Sequence, residues 1–218
     1  MHATGIDPID RRLGGGVPVG SLTALVAPVG SSAELLLEAA AEPSDALVVS
    51  LNRPAPAVAD RYSDGTAVVE RDPATLAAAP AETFAALPEG RTLVVTPTLG
   101  VEQLAPTDLR RVLEAAARAV DEADGAGYLH CPEPATDAAG RIRALARVDS
   151  VWLLDVRMGT LTIENWLYVT RVRGGAALDS PLKLKLTDRV AFGRRRYRYG
   201  LPKTWDRGTL PRRSDGRY

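Results

Sequence analysis

The stretch from Thr4 to Ala40, TGIDPIDRRLGGGVPVGSLTALVAPVGSSAELLLEAA, decides the fold. Its three consecutive glycines, Gly14 to Gly16, read as turn geometry that only glycine adopts cheaply. An apolar strand at Leu22 to Val26 follows, then a short Gly/Ser loop, then a helix from about Ser32 to Ala41. Ser31, with Glu34 three residues on and Leu35, Leu36 and Leu37 following, reads as a capping box. In that motif the serine caps the helix and the glutamate reaches back to the serine amide. A carboxylate in the first turn also complements the helix dipole.

The same stretch resembles the opening of RecA-superfamily ATPases of the KaiC, RadA and GvpD kind. That pattern runs G-[IL]-x-x-[LI]-D, then L-GGG-[IV]-P-x-G-S, a strand, and the phosphate loop G-x-x-x-x-G-K-[ST]. Gly5, Asp10, Gly14 to Gly16, Pro18, Gly20 and Ser21 match it, whereas the loop does not. Laid onto the loop pattern, the first glycine is Ala27, Gly30 is kept inside the loop with Ser31 beside it, and the second glycine is Ser32. Ala33 then stands for the lysine and Glu34 for the magnesium-binding hydroxyl. A working loop needs converging backbone amides, a point charge and a metal-holding oxygen. Glu34 sets a negative charge where another would have to bind, and two like charges about 4 Å apart cost roughly 1 to 4 kcal/mol.

Nothing upstream replaces the missing cation, because the first lysine of the chain is Lys183, although an arginine such as Arg53 is a candidate to approach. In the family the second strand ends in acids that activate water; here ALVVSLNRPAP puts Asn52 and Arg53 there, and neither is a general base. TLVVTPT, Thr92 to Thr98, is the counterpart of the strand that ends in a magnesium-organising aspartate, but it closes with Thr96 and Pro97. Asp155 in SVWLLDV is the rival metal ligand, although it runs into GTLTIENWLYVTRVRGG, which resembles the family's late strand pair.

The 218 residues, 45% of them hydrophobic, suit one domain with a substantial core. No stretch approaches the roughly 20 apolar residues of a membrane span. The start, MHATGIDPIDRR, lacks signal-peptide features, so a cytoplasmic location is expected. The single cysteine, Cys131, beside His130, excludes an internal disulfide and falls short of a zinc ligand set, leaving a filling role at a strand end. Formal net charge is zero, yet from Arg189 onward ten basic residues face only Asp206 and Asp215. Arginine outnumbers lysine 24 to 3, a usage that suits a GC-rich genome and a salt-adapted archaeon.

Strands are expected at Ala46 to Leu51, Ala67 to Glu70, Thr92 to Thr96, Gly127 to Cys131 and Val151 to Val156. Helices are expected at Ala57 to Tyr62, between Pro73 and Ala86, at Thr107 to Asp121 and at Asp137 to Ala146. This alternation predicts an α/β fold whose mostly parallel sheet is flanked by helices on both faces. Beyond Arg157 the pattern changes to hairpins, with Thr187 and Asp188 near a turn, which predicts antiparallel C-terminal strands. The resulting division is a RecA-like core over residues 1–200 and a basic tail over 201–218.

The resemblance implies a core often assembled into rings or filaments around ATP. With the phosphate cradle changed, the expectation is a non-catalytic relative that uses neither nucleotide cofactor nor metal. It would act by binding a protein, such as an active RecA-like paralogue, itself or a regulator of transcription. An alternative class is nucleic-acid binding through Arg194, Arg195, Arg196, Tyr197, Arg198 and Tyr199, whose cations neutralise phosphates and whose rings stack on bases. The plain reading of that run is a strand with its tyrosines on the sheet and its arginines in water. An ATP-binding protein with an atypical loop is the third.

Overall fold

A computed structural model describes residues 1–175, 177–186 and 190–192. The elements run α1 (Asp7–Arg12), β1 (Ser21–Pro28), α2 (Glu34–Ala41), β2 (Ala46–Ser50), α3 (Ala55–Ala59), β3 (Ala67–Glu70), α4 (Pro73–Ala78), α5 (Pro80–Phe84) and β4 (Thr92–Thr96). They continue α6 (Leu99–Glu102), α7 (Pro106–Glu122), β5 (Ala126–Glu133), α8 (Ala138–Leu145), β6 (Ser150–Met158), β7 (Ile163–Val172), β8 (Leu182–Leu186) and β9 (Val190–Phe192). Among the described residues, nine strands make one sheet in the order β3-β2-β4-β5-β1-β6-β7-β8-β9. Pairings from β3 to β6 are parallel; β6 with β7, β7 with β8 and β8 with β9 are antiparallel.

Strand periodicity splits the core into two layers. Leu25, Val48, Val94 and Tyr128 pack on one face with Ile9, Leu36, Leu37 and Val58 from α1, α2 and α3. Their chain neighbours Val26, Val49, Val95 and Leu129 pack on the other with Leu76, Phe84, Leu109, Leu113 and Ala144 from α4, α5, α7 and α8. Side chains alternate with period two along a strand, so runs such as ALVVS, apolar throughout, must be covered on both sides. Each buried leucine or valine adds about 1.5 to 3 kcal/mol.

The helices start where their sequences supply caps or prolines. Asp72 accepts from the amides of Ala74 and Thr75 at 3.0 and 2.9 Å, and Asp137 caps Ala139 at 2.9 Å. Pro106 opens α7, which buries Leu109, Val112, Leu113, Ala116 and Val120. Helix α1 and helix α6, both short, were outside the elements expected from periodicity. The first is fixed by Asp10, whose Oδ1 accepts from the Thr4 amide (2.8 Å) and hydroxyl (2.7 Å). Gly14 to Gly16 all take positive φ (72°, 117° and 119°), the turn geometry their sequence called for. Cys131 is buried within β5, and desolvation pushes its thiol up to about 12.

The capping box at Ser31 is corrected by the structure. α2 begins at Glu34 with Ala33 as its N-cap, and no side chain caps it. The Ser31 amide, which Glu34 was expected to bind, donates to the Pro28 carbonyl at 3.1 Å. The physical reason lies in Ala33, 1% exposed, whose methyl is drawn into the core. Ser32 turns the chain there at φ 58°, which separates Ser31 from the helix entry. The turn expected at Thr187 and Asp188 and the tail over 201–218 lie outside the described residues. No helix among the described residues is long and apolar enough to cross a membrane.

Candidate functional site

Open α/β sheets present ligands at the carboxyl ends of their strands. Here the loops leaving β1, β2, β4 and β5 enclose a cleft of about 420 Å³, within the size range of small-molecule sites. A larger depression of about 790 Å³ lies between α5 and α7, away from the strand ends and floored by alanines and Phe84.

The loop that carries Gly30 to Glu34 forms one wall. Gly30 has φ 81° and lines the cleft with Ser31 and Glu34. Ser32 is exposed, and Ala33, at the lysine position of the resemblance, points into the core. Two amides of the loop are already engaged, Val29 with the Glu133 carbonyl at 3.0 Å and Ser31 with that of Pro28. The Ser31 hydroxyl is buried without a hydrogen-bond partner among the described residues.

The opposite wall comes from β2, the turn after it and α3. Asn52 and Arg53 follow β2 and line the mouth, both exposed. Arg61, just past α3, pairs with Glu38 of α2 at 2.5 Å. Burial shifts the Glu38 carboxyl upward, opposed by Arg61 and reinforced by nearby Glu34. Tyr62 beside them is also raised, chiefly by burial. Thr96 and Pro97 at the end of β4 and His130 of β5 make the floor. His130 Nδ1 lies 2.9 Å from Thr96 Oγ1. Desolvation lowers its pKa, against the attraction of Glu34 and with the repulsion of Arg141, so the ring is neutral at pH 7.

Beneath the floor sits a buried ion pair. Glu102 Oε1 meets Arg141 Nε at 2.9 Å and accepts from Thr98 Oγ1 at 2.6 Å. Arg141 Nη2 donates to the Pro132 carbonyl at 2.8 Å, which ties α8 to the end of β5.

The cleft thus gathers two carboxylates, two guanidinium groups, a neutral imidazole and several hydroxyls, with no lysine in its lining. Asp155 stands apart on β6, bound to Arg157 at 2.7 Å. Among the described residues no group of three His, Cys, Asp or Glu is placed to hold a metal. Arg194, Arg195, Arg196, Tyr197, Arg198 and Tyr199 lie outside the described residues. Sequence reasoning did not single out Glu38, Arg61, Tyr62 or His130 for this wall and floor. Only Glu38 left a trace, its spacing of four from Glu34 putting both on one helix face.

The model of a family of unknown function (DUF7125) matches residues 1–197. The chain belongs to that family. No curated protein matches it in sequence. Among solved structures, a KaiC-like protein, PH0186, from the hyperthermophilic archaeon Pyrococcus horikoshii OT3 is similar at a TM-score of 0.67 and 13% identity. That similarity covers 87% of this chain and 97% of the other. The flagellar accessory protein FlaH from Methanocaldococcus jannaschii is similar at a TM-score of 0.69 and 11% identity, over 85% of this chain and 94% of that one. Both are RecA-superfamily folds, so this member of the family has a RecA-like fold.

Proposed function

We propose that this chain is a non-catalytic RecA/KaiC-like module that regulates by binding a protein partner and does not turn over ATP. The observation that carries the reading is the pair Ala33 and Glu34. The first sends a methyl into the core where the resemblance calls for a cradle lysine, and the second presents a carboxylate to the cleft where a magnesium-binding hydroxyl is called for. Two further facts support it. The loop amides of Val29 and Ser31 are engaged within the protein, and Thr96 with Pro97 closes β4 without a carboxylate.

A protein partner is favoured by the apolar side chains at the same end of the sheet. Val29 is 71% exposed, and Met158, Leu161 and Ile163 at the β6–β7 turn are 83%, 94% and 70% exposed. β6 runs parallel to β1, so Met158 at its carboxyl end and Val29 just past β1 share that edge. Exposed apolar side chains gathered in one place mark interaction surfaces.

Equilibrium titration with a fluorescent ATP analogue and magnesium tests the reading. No saturation up to about 1 mM is expected, weaker than about −4 kcal/mol of binding. Saturable micromolar binding overturns it and makes the chain an ATP-binding protein with an atypical loop.

A further inference from the structure

Past Leu153, strands β6, β7 and β8 are buried on one face only; nearer its start β6 is covered on both, with Val151 buried and Leu153 packed in the layer that holds α7 and α8. Leu154, Leu167, Val169, Leu182 and Leu184 turn into the core layer shared with α1 and α2. The alternate residues face outward. Register sets Asp155 against Trp166 and Trp166 against Lys183, so one row crosses the sheet, with Tyr168 two residues along β7 and Lys185 two along β8. None of these five is buried, and Lys185 is exposed.

The face carries two aromatic rings, three cations (Arg157, Lys183 and Lys185) and two carboxylates (Asp155 and Glu164). The Arg157 guanidinium lies 5.8 Å and the Lys183 ammonium 5.5 Å from the centre of the Trp166 ring. Arg157 also donates to the Tyr168 hydroxyl at 2.8 Å. Asp155 and Glu164 hold Arg157 and Lys183 respectively as ion pairs, which keeps both cations beside the ring. Lys185 has no ion-pair partner among the described residues. In sequence, the arginine-rich run begins at Arg194, two residues after β9 ends.

We propose that the open face of β6, β7 and β8 binds single-stranded nucleic acid. Bases stack on Trp166 and Tyr168, and phosphates take Lys185, Lys183 and Arg157. Two aromatic rings spaced by two residues on a sheet with one solvated face are how a sheet stacks two successive bases. Aromatic faces accept any base, and flanking cations track the backbone, so such a platform is tolerant of sequence and sensitive to salt. A duplex keeps its bases stacked inward and offers these rings nothing. The surface is distinct from the cleft, so the proposal stands apart from the ATP reading.

Fluorescence anisotropy of labelled 20-nucleotide oligo-dT, oligo-U and a 20-base-pair duplex, titrated with the full chain at several salt concentrations, tests it. Saturable binding of the single strands, tighter than of the duplex and falling with salt, is expected; the relative strength of dT and U then separates DNA from RNA as the preferred form. Trp166→Leu weakens single-strand affinity roughly 5- to 150-fold, the contribution of one stacked base. Lys185→Glu, at an exposed position where folding is not at stake, weakens it and lowers the salt slope by about 1. Absent or salt-insensitive binding, preference for the duplex, or unchanged affinity in Lys185→Glu overturns the proposal.

Discussion

Glu102→Leu will destabilise the protein far more than its replacement of a polar by an apolar side chain suggests. Glu102 is fully buried and the Arg141 side chain is 7% exposed, so the substitution leaves a guanidinium in the interior with its counter-charge gone. Arg141 retains the Pro132 carbonyl, a bond to a neutral acceptor that cannot offset a full charge. Breaking a buried pair in this way costs about 3 to 5 kcal/mol. For a chain of this length that is a drop in Tm of roughly 6 to 20 °C. Arg141→Met should cost a similar amount by stranding the carboxylate. The double variant Glu102→Leu/Arg141→Met removes both charges together with the desolvation each carries, and should lie within about 1 kcal/mol of the parent. Urea unfolding followed by circular dichroism at pH 7 measures all four corners of the cycle. If each single change costs under about 1 kcal/mol, or the double change costs the sum of the two, the pair is not the electrostatic unit described.

Stability should fall between pH 7.5 and 5.0. His2 and His130 are both shifted below their ordinary value, chiefly by burial, so the unfolded chain takes up protons first and their contribution is lost as pH drops through about 6.5. Glu38, shifted upward, works in the opposite sense and offsets part of the drop. The urea midpoint at the two pH values measures it, and His130→Gln should flatten the dependence; equal slopes in parent and variant contradict the reasoning. Gly140→Ala should also destabilise, by about 1 to 3 kcal/mol, because a Cβ there would stand 1.9 Å from the Glu102 carbonyl oxygen and force α8 from α6. An unchanged urea midpoint would mean the two helices separate freely.

Much of the sheet was legible because each parallel strand is an apolar run bounded by turn residues. Ala67 to Glu70 and Thr92 to Thr96 were read at their observed limits, and α7 within a residue at either end. What escaped depends on contacts distant in sequence. α1 has six residues and is held by Thr4, an interaction no periodicity reports. The start of α2 was misread because Ser31 and Glu34 have capping spacing, while the core's hold on Ala33 overrides it. The cleft was half legible: its loop announced itself, but Arg61 and Tyr62 past α3 and His130 on β5 come from stretches that only the sheet order brings together. Alternation in LTIENWLYVTRVR marked a strand with two unlike faces. Which face stays open is decided by where α1 and α2 pack.

The chain's one thiol, enclosed in β5 and held in its protonated form, is invisible to maleimides and iodoacetamides in the native state. A cysteine engineered into the β6–β7 turn or beside Lys185 therefore becomes a single reactive handle with the native residue left in place. Site-specific dyes, spin labels and crosslinkers can in this way map which surface a partner covers, with no second reactive thiol to confuse the signal.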